Sequence, residues 1–202
     1  MFRLHKNHIL WLKVFIHCVA LIPLASLYYE AFTDRLGADP VQNILHFTGI
    51  GAFNLLLLSL LVSPVAKKLK QGQLMSIRRP LGLYAFAYAL LHFLSYIAFY
   101  LQFEWQLLIS EIVKRPYISV GFISLLILTA LALTSAKSIQ HKLGRTWQKL
   151  HNWVYLALLT VSLHYFWSVK SGLIQPTIYI CFALVLLFLR RKKLTKNVNR
   201  HN

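Results

Sequence analysis

Six long apolar runs, separated by short segments with charge, proline or glycine, make up most of the chain. Each run is close to the roughly 20 apolar residues that a helix needs to cross a bilayer. The pattern therefore predicts an all-α integral membrane protein with six transmembrane helices. The expected spans are 9–29, 42–63, 81–101, 117–135, 151–169 and 174–189.

The chain shows no sequence repeat, low-complexity tract or second domain. The first run begins among basic residues, as a signal peptide does, but it continues to Tyr29 without a clear small-residue cleavage site. We therefore expect a retained first helix. The predicted organisation is a cytoplasmic tail over 1–8, a transmembrane domain over 9–189, and a basic cytoplasmic tail over 190–202.

The composition and the placement of charges agree with a membrane protein and argue against a nucleic-acid-binding protein. Hydrophobic residues make up 57% of the chain and charged residues only 13%, far fewer than a soluble domain of this size carries. The net charge of +17 is typical of nucleic-acid binding, but the lysines and arginines fall between apolar runs. Because this placement encodes membrane topology, the partner that the charge indicates is the lipid bilayer and not nucleic acid.

The charges also orient the predicted spans. Most of the 22 lysines and arginines lie in the two tails and in the loops 64–80 and 136–150, whereas all five acids lie in the opposite loops. The positive-inside rule then places both termini in the cytoplasm. The predicted membrane interior holds no carboxylate, and proton or cation carriers usually need acids along their pathway. Transport is therefore the weaker interpretation.

Five of the nine histidines fall inside predicted spans, where ionisable residues are costly and indicate function. Neutral imidazoles there suit metal or haem ligation, or hydrogen bonding between helices. At about 1.5 Å per residue, His92 and His164 lie roughly 18 to 20 Å above the inner membrane edge, on helices that run in the same direction. A haem iron held between the third and fifth spans would therefore take one axial imidazole from each.

The other three histidines are candidates of lower rank. His151 lies near the inner interface and could bind an inner haem, but thirteen residues rotate a helix through about 220°, so it does not share a face with His164. Two haems along this helix need a bend or a tightened turn. His46, at a depth similar to His92, could replace one of that pair or contact a haem edge. His17 is the remaining candidate in the inner half. Helix-to-helix hydrogen bonding is the alternative for these histidines, and solvation at the interface is a further alternative for His151.

The remaining residue types narrow the ligand choice. The only methionines are Met1 and Met75, neither inside a span, so the sequence predicts bis-histidine rather than His/Met ligation. Two filled axial positions favour electron transfer over oxygen binding. Cys18 and Cys181 lie in apolar runs and form no CxxC or zinc motif, so we expect them to be packing residues.

Arg78 and Arg79 stand at the inner end of the third span. They either anchor the topology or pair with haem propionates or an anionic flavin phosphate, because guanidinium matches such groups in a fork. The sequence contains no GxGxxG fingerprint or βαβ segment. We therefore expect that the chain does not bind NAD(P)H by itself and that electron donor and acceptor are other molecules.

Several stretches are recognisable together. They are "LGADPV" (36–41), "HFTG" (46–49), "RRPLGL" (78–83), "KRPYIS" (114–119), "LGRTWQKLHNWVYL" (143–156) and "HYFWSVK" (164–170). They closely resemble the haem-binding membrane subunits of the bacterial protein-methionine-sulfoxide reductase system, MsrQ/YedZ-type, over nearly the whole chain. That family is similar to the wider ferric-reductase-like transmembrane group, so the resemblance implies a six-helix bundle of that type with its core at about 44–170.

The resemblance also implies cofactors and partners. It suggests one or two b-type haems and FMN, a place in the bacterial inner membrane, and electron supply from a cytoplasmic flavin reductase or a quinol. The acceptor would be a separate periplasmic molybdopterin subunit, on which the catalytic reduction of methionine sulfoxide in oxidised proteins is expected. The alternatives are a b-type quinol oxidoreductase, a metal-ion reductase, or a membrane helix bundle without redox function.

The ferric-reductase-like pattern has two histidines on each of two helices. Carried onto this sequence, it assigns His92 and His164 to an outer haem and His151 to an inner one. The position of the second inner ligand is occupied by Arg78, which departs from the pattern. The resemblance thus leaves the second ligand of an inner haem open, as well as the number of haems.

Overall fold

The computed structural model describes residues 5–198, and their side chains as far as Arg190. The ends of the two expected tails, 1–4 and 199–202, lie outside the described residues. Within the described part the chain is helical and has no strand. The α-helices are α1 (Lys6–Phe32), α2 (Pro40–Lys68), α3 (Arg78–Ser95), α4 (Trp105–Lys114), α5 (Pro116–Leu133), α6 (Lys137–Leu143), α7 (Arg145–His151), α8 (Val154–Ser168) and α9 (Ile174–Val198).

Four segments of the described chain are long and apolar enough to cross a membrane: Lys6–Phe32, Pro40–Lys68, Gly72–Tyr100 and Pro116–Leu133. The third of these joins a 3₁₀ turn, α3 and a closing π-helical turn at Tyr96–Tyr100. They coincide with the first four predicted spans. Helix α8, with 15 residues, and the apolar part of α9, Ile174–Arg190, are shorter. Six spans and cytoplasmic termini therefore stay predictions.

Short helices occupy segments that the sequence analysis treated as loops. Helix α4 lies in the expected outer loop, and α6 and α7 lie in the expected inner one. In α4, Trp105, Ile109 and Val113 repeat every four residues and are 60–77% exposed, which is the pattern of a helix lying along a membrane surface. The last helix also continues to Val198, well into the expected carboxyl-terminal tail.

Local signals in the sequence explain where the main helices begin. The Asp39 side chain accepts a hydrogen bond from the backbone N–H of Gln42 at 2.9 Å and so caps α2, whose first residue is Pro40. Pro116 likewise opens α5. Between α6 and α7 the backbone turns sharply at Gly144, where φ is 50° and ψ is −122°, a conformation that favours glycine.

One core unites five helices. Helix α2 packs along α3, α5 packs along α8, α5 also contacts α3, and α9 packs against α8 and α2. The fully buried residues at these contacts include Leu60, Leu158 and the two alanines Ala85 and Ala157. Alanine at a contact lets helix backbones approach closely, which matters in a membrane because lipid provides no hydrophobic drive for helix association.

Helix α1 lies at the edge of this bundle, and most of its surface is exposed. It is attached to α3 by hydrogen bonds at three heights, all from tyrosine hydroxyls. They join Tyr84 to Nδ1 of His17 at 2.6 Å, Tyr88 to the carbonyl of Ala20 at 2.6 Å, and Tyr28 to Oγ of Ser95 at 2.8 Å.

Candidate functional site

The structure brings His92 of α3 and His164 of α8 close together, with their ring planes nearly perpendicular. Their ring centres lie 6.3 Å apart and the ring planes make an angle of 83°. Both side chains are half-buried. The two residues lie 72 positions apart in the chain, and the fold places them at the same height in the bundle.

Helix α2 positions the first imidazole. Nδ1 of His92 lies 2.9 Å from the backbone carbonyl of Leu45, and Oγ1 of Thr48 lies 3.4 Å from the same nitrogen. One turn after Leu45 is Gly49, where an added Cβ would lie 3.2 Å from Nδ1 and Cε1 of the ring. The Nδ1–Cε1 side of the ring therefore lies close to a part of α2 that has no side chain.

Helix α5 positions the second imidazole in the same way. Nδ1 of His164 lies 2.7 Å from the backbone carbonyl of Tyr117. One turn further is Gly121, where an added Cβ would lie 2.6 Å from Nδ1 and 2.8 Å from Cε1 of the ring. The Tyr117 ring also lies beside the imidazole, with centres 6.2 Å apart.

These contacts determine which nitrogen each ring can offer. A carbonyl oxygen only accepts hydrogen bonds, so Nδ1 of His92 and of His164 must carry the proton and donate it. In a neutral imidazole the other nitrogen, Nε2, then keeps a free lone pair. Metal-binding histidines are usually fixed by this kind of hydrogen bond from the non-binding nitrogen.

The spacing of the two rings fits one metal ion between them. Two nitrogens on opposite sides of a metal lie about 4 Å apart, because each metal–nitrogen bond is about 2 Å. Adding about 1 Å from each nitrogen to its ring centre gives about 6 Å between ring centres. The 6.3 Å between His92 and His164 agrees with this value. The donor set of two neutral imidazoles is that of a bis-histidine haem iron.

His151 lies apart from this pair, at the end of α7 and just before α8. Its Nε2 is 3.2 Å from Oγ1 of Thr134, and its ring stacks on Trp147 with centres 3.9 Å apart. Helix α7 ends at His151, a turn follows at Asn152 and Trp153, and α8 then begins. The local turn that two haems along this helix would require is therefore present. However, Nε2 of His151 already lies at hydrogen-bonding distance from the Thr134 hydroxyl.

The two arginines at the start of α3 differ in their surroundings. Arg78 is half-buried and interacts electrostatically with Arg190, Tyr155 and His151. Arg79 is exposed. The structure therefore places Arg78, and not its neighbour, among the polar groups at the end of the bundle where α3 begins.

Arg190 of α9 belongs to the same group of polar residues as Arg78. The sequence pattern did not point to Arg190 as a site residue. It is only 5% exposed, and it donates hydrogen bonds to the hydroxyl of Tyr155 at 3.1 Å and to the carbonyl of Leu60. Its Nε atom is buried without a partner among the described atoms. The sequence places Arg190 at the start of a basic run, and only the continuation of α9 brings it into the core.

The two lower-ranked candidates do not join the pair. His46 is exposed on α2 and makes no ring contact with His92 or His164 among the described residues. His17 is exposed on α1, where Tyr84 binds its Nδ1 and packs against its ring edge-on. Both therefore stay candidates without a contact to the central pair.

An all-helical membrane bundle with two adjacent neutral imidazoles has the architecture of a membrane protein that can hold haem. A comparison with protein families agrees with this class. The model of the family described as "Ferric reductase like transmembrane component" matches residues 47–162. This region begins inside α2 and ends inside α8. It includes His92 and His151, whereas His164 lies two residues beyond its end.

Two curated relatives are similar over nearly the whole chain. The protein of Cronobacter sakazakii is 49% identical over 193 residues, which are 95% of this chain and 96% of the relative. The protein of Klebsiella pneumoniae is 47% identical over 192 residues, again 95% and 96% of the two chains. Both are named "Protein-methionine-sulfoxide reductase heme-binding subunit MsrQ". The chain belongs to the ferric-reductase-like transmembrane family and, within it, to the MsrQ group.

Proposed function

We propose that this protein carries electrons across the bacterial inner membrane through haem b bound between His92 and His164. The observation that carries the proposal is the pair of imidazoles at 6.3 Å, each anchored through Nδ1 to a backbone carbonyl. The names of the relatives, which describe a heme-binding subunit, support it. Family membership supports transmembrane electron transfer as the general activity.

In this proposal the two histidines hold the iron and the neighbouring helices hold the histidines. Haem bound there would supply a one-electron carrier, and with His92 and His164 both holding it, it would favour electron transfer over oxygen binding. The carbonyls of Leu45 and Tyr117 keep both rings in the tautomer that presents Nε2. The protein's contribution is therefore binding, orientation and exclusion of a competing ligand.

A second haem at the inner level remains part of the proposal, with His151 as its ligand. If His151 held that haem through Nε2, this atom would have to give up its contact with the Thr134 hydroxyl. We propose that Arg78 and Arg79 contact haem propionates or the phosphate of FMN, with Arg78 the more important because it lies inside the bundle. His46 and His17 are kept only as contacts at a haem edge.

The proposed direction of electron flow follows from the charges. The basic inner face receives electrons from a cytoplasmic flavin reductase, reduced FMN or a quinol, and the level of His92 and His164 passes them outward. The proposed acceptor is a separate periplasmic molybdopterin subunit that reduces methionine sulfoxide in oxidised proteins. The names of the relatives support a methionine-sulfoxide reductase as the partner.

The test compares four single alanine substitutions in the purified protein. We expect His92→Ala and His164→Ala to lose the absorption bands of the haem held between these two residues and the transfer of electrons to the partner. His46→Ala and His17→Ala, which remove at most a contact at the haem edge and not a residue that holds the iron, should keep the haem bands and the electron transfer. Haem content by pyridine haemochrome assay and the reduced-minus-oxidised spectrum decide the outcome. Full pigment and electron transfer in both His92→Ala and His164→Ala would overturn the proposal.

A further inference from the structure

The two imidazoles are held by structural units that repeat each other. In each unit the histidine donates to a carbonyl 47 residues earlier in the chain, from His92 to Leu45 and from His164 to Tyr117. In each unit a glycine stands one helical turn after that carbonyl, and Nδ1 and Cε1 are the ring atoms nearest to it. The pairs α2–α3 and α5–α8 thus contain the same arrangement, although their sequences show no general repeat.

The two glycines make these hydrogen bonds possible. A methyl group at Gly121 would lie 2.6 Å from Nδ1 of His164, closer than real Cβ contacts, and one at Gly49 would lie 3.2 Å from Nδ1 of His92. Because the ring is attached to a different helix, it yields to the added methyl group by turning away from its carbonyl. This rotation changes the plane of the imidazole and weakens the hydrogen bond that fixes its tautomer.

We propose that Gly49 and Gly121 are positioning residues for electron transfer, which set the perpendicular orientation of the two iron-binding imidazoles. The inference rests on the proposed haem site at His92 and His164. Each glycine admits its imidazole to the backbone of the neighbouring helix, and the two carbonyl anchors then hold the ring planes at 83°. The orientation of axial ligands affects the electronic structure of the iron, so the glycines act on the redox centre through the histidines.

Two other glycines, one in α2 and one in α3, provide matched controls for Gly49 and Gly121. Gly51 is as crowded as Gly121, since an added Cβ would lie 2.5 Å from the Tyr88 ring, but it does not face a histidine. Gly82 has nothing within 4 Å of an added Cβ. Gly51→Ala therefore reports the effect of crowding alone, and Gly82→Ala reports the effect of adding a methyl group to a helix.

The experiment records the electron paramagnetic resonance spectrum of the oxidised holoprotein. Perpendicular axial imidazoles give low-spin ferric haem a strongly anisotropic signal, whereas more parallel rings give a rhombic one. We expect the strongly anisotropic signal in the wild type, its loss in Gly121→Ala, and a smaller shift in Gly49→Ala. Gly51→Ala and Gly82→Ala keep the wild-type signal. An unchanged signal in both Gly49→Ala and Gly121→Ala, or an equal change in Gly51→Ala, would overturn the inference.

A double substitution keeps the inference testable if Gly121→Ala does not fold. In the His164→Ala background no imidazole remains for the new methyl group to strike. We therefore expect His164→Ala/Gly121→Ala to have the same Tm as His164→Ala alone. A clearly lower Tm of the double variant would mean that Gly121 serves backbone packing and not the ring. Absence of haem from the wild type would instead contradict the proposed function.

Discussion

The indole ring of Trp147 lies on the imidazole of His151, with ring centres 3.9 Å apart and planes at 26°. Its N–H donates to the carbonyl of Thr134 at 2.9 Å, and the hydroxyl of Thr134 lies 3.2 Å from Nε2 of His151. The three residues thus form a closed network between the end of α5 and the end of α7. Unlike His92 and His164, His151 has its Nε2 occupied.

We expect His151→Ala to keep the haem held by His92 and His164, because no described contact joins His151 to that pair. The haem content should fall by at most one haem per chain, and the absorption bands of the remaining haem should match the wild type. The pyridine haemochrome assay measures this. Trp147→Phe, which keeps an aromatic ring but removes the N–H donor, is the matched control and should retain all haem. Complete loss of pigment from folded His151→Ala would contradict the prediction.

The burial difference between Arg78 and Arg79 gives a second prediction. A hydrogen bond to a charged group contributes about 1.5–3 kcal/mol, and about 1.4 kcal/mol corresponds to a tenfold change in affinity. Arg78→Gln should therefore weaken binding of FMN about tenfold or more, or reduce haem retention if its partner is a propionate. The exposed control Arg79→Gln should change either quantity much less. A fluorescence titration of FMN and a haem assay distinguish the two partners, and equal effects of both substitutions would contradict the assignment.

Hydrogen bonds between α1 and α3 give a prediction about stability. Tyr88 is 3% exposed and its hydroxyl donates to the carbonyl of Ala20 at 2.6 Å. Hydrogen bonds between membrane helices contribute about 0.6 kcal/mol on average and up to about 1.7 kcal/mol. Tyr88→Phe should therefore lower the free energy of unfolding by about 1 kcal/mol, measured by denaturant titration in detergent.

Tyr84→Phe is the matched control for that change. Tyr84 bonds to the exposed His17, so its loss should cost less than the loss of the buried Tyr88 hydroxyl. Neither substitution should alter the haem spectrum, since neither hydroxyl contacts His92 or His164. A larger destabilisation by Tyr84→Phe than by Tyr88→Phe would show that burial does not govern these contacts.

The cytoplasmic placement of both termini can be tested with single cysteines. Cys18 and Cys181 are first replaced by alanine, and Glu104→Cys or Ser138→Cys is then introduced on opposite sides of the predicted membrane; both positions are exposed. A maleimide that does not cross membranes should label Glu104→Cys in intact spheroplasts, and Ser138→Cys only after lysis. Labelling of Ser138→Cys in intact spheroplasts would contradict the predicted orientation.

The long helices could be predicted because hydrophobic length is a property of consecutive residues. The first four spans overlap the four long apolar segments of the structure, with ends that differ by between one and nine residues. Helical rise along these spans places His92 and His164 at one depth, and the structure brings the two rings together. The short helices α4, α6 and α7 were not predicted, since they are too short to show as apolar runs. Arg190 was assigned to a tail because its burial depends on where α9 packs.

The sequence by itself determined that this is a helical membrane protein, which histidines lie at one level, and which family it resembles. Only the tertiary structure decided how the two imidazoles are held. Their anchors are the carbonyls of Leu45 and Tyr117, and every residue has a carbonyl, so no residue type marks these two. The space beside each ring comes from Gly49 and Gly121, whose importance depends on the distance between helices that are far apart in the chain. Composition and spacing specify which groups are available, and packing specifies which of them meet.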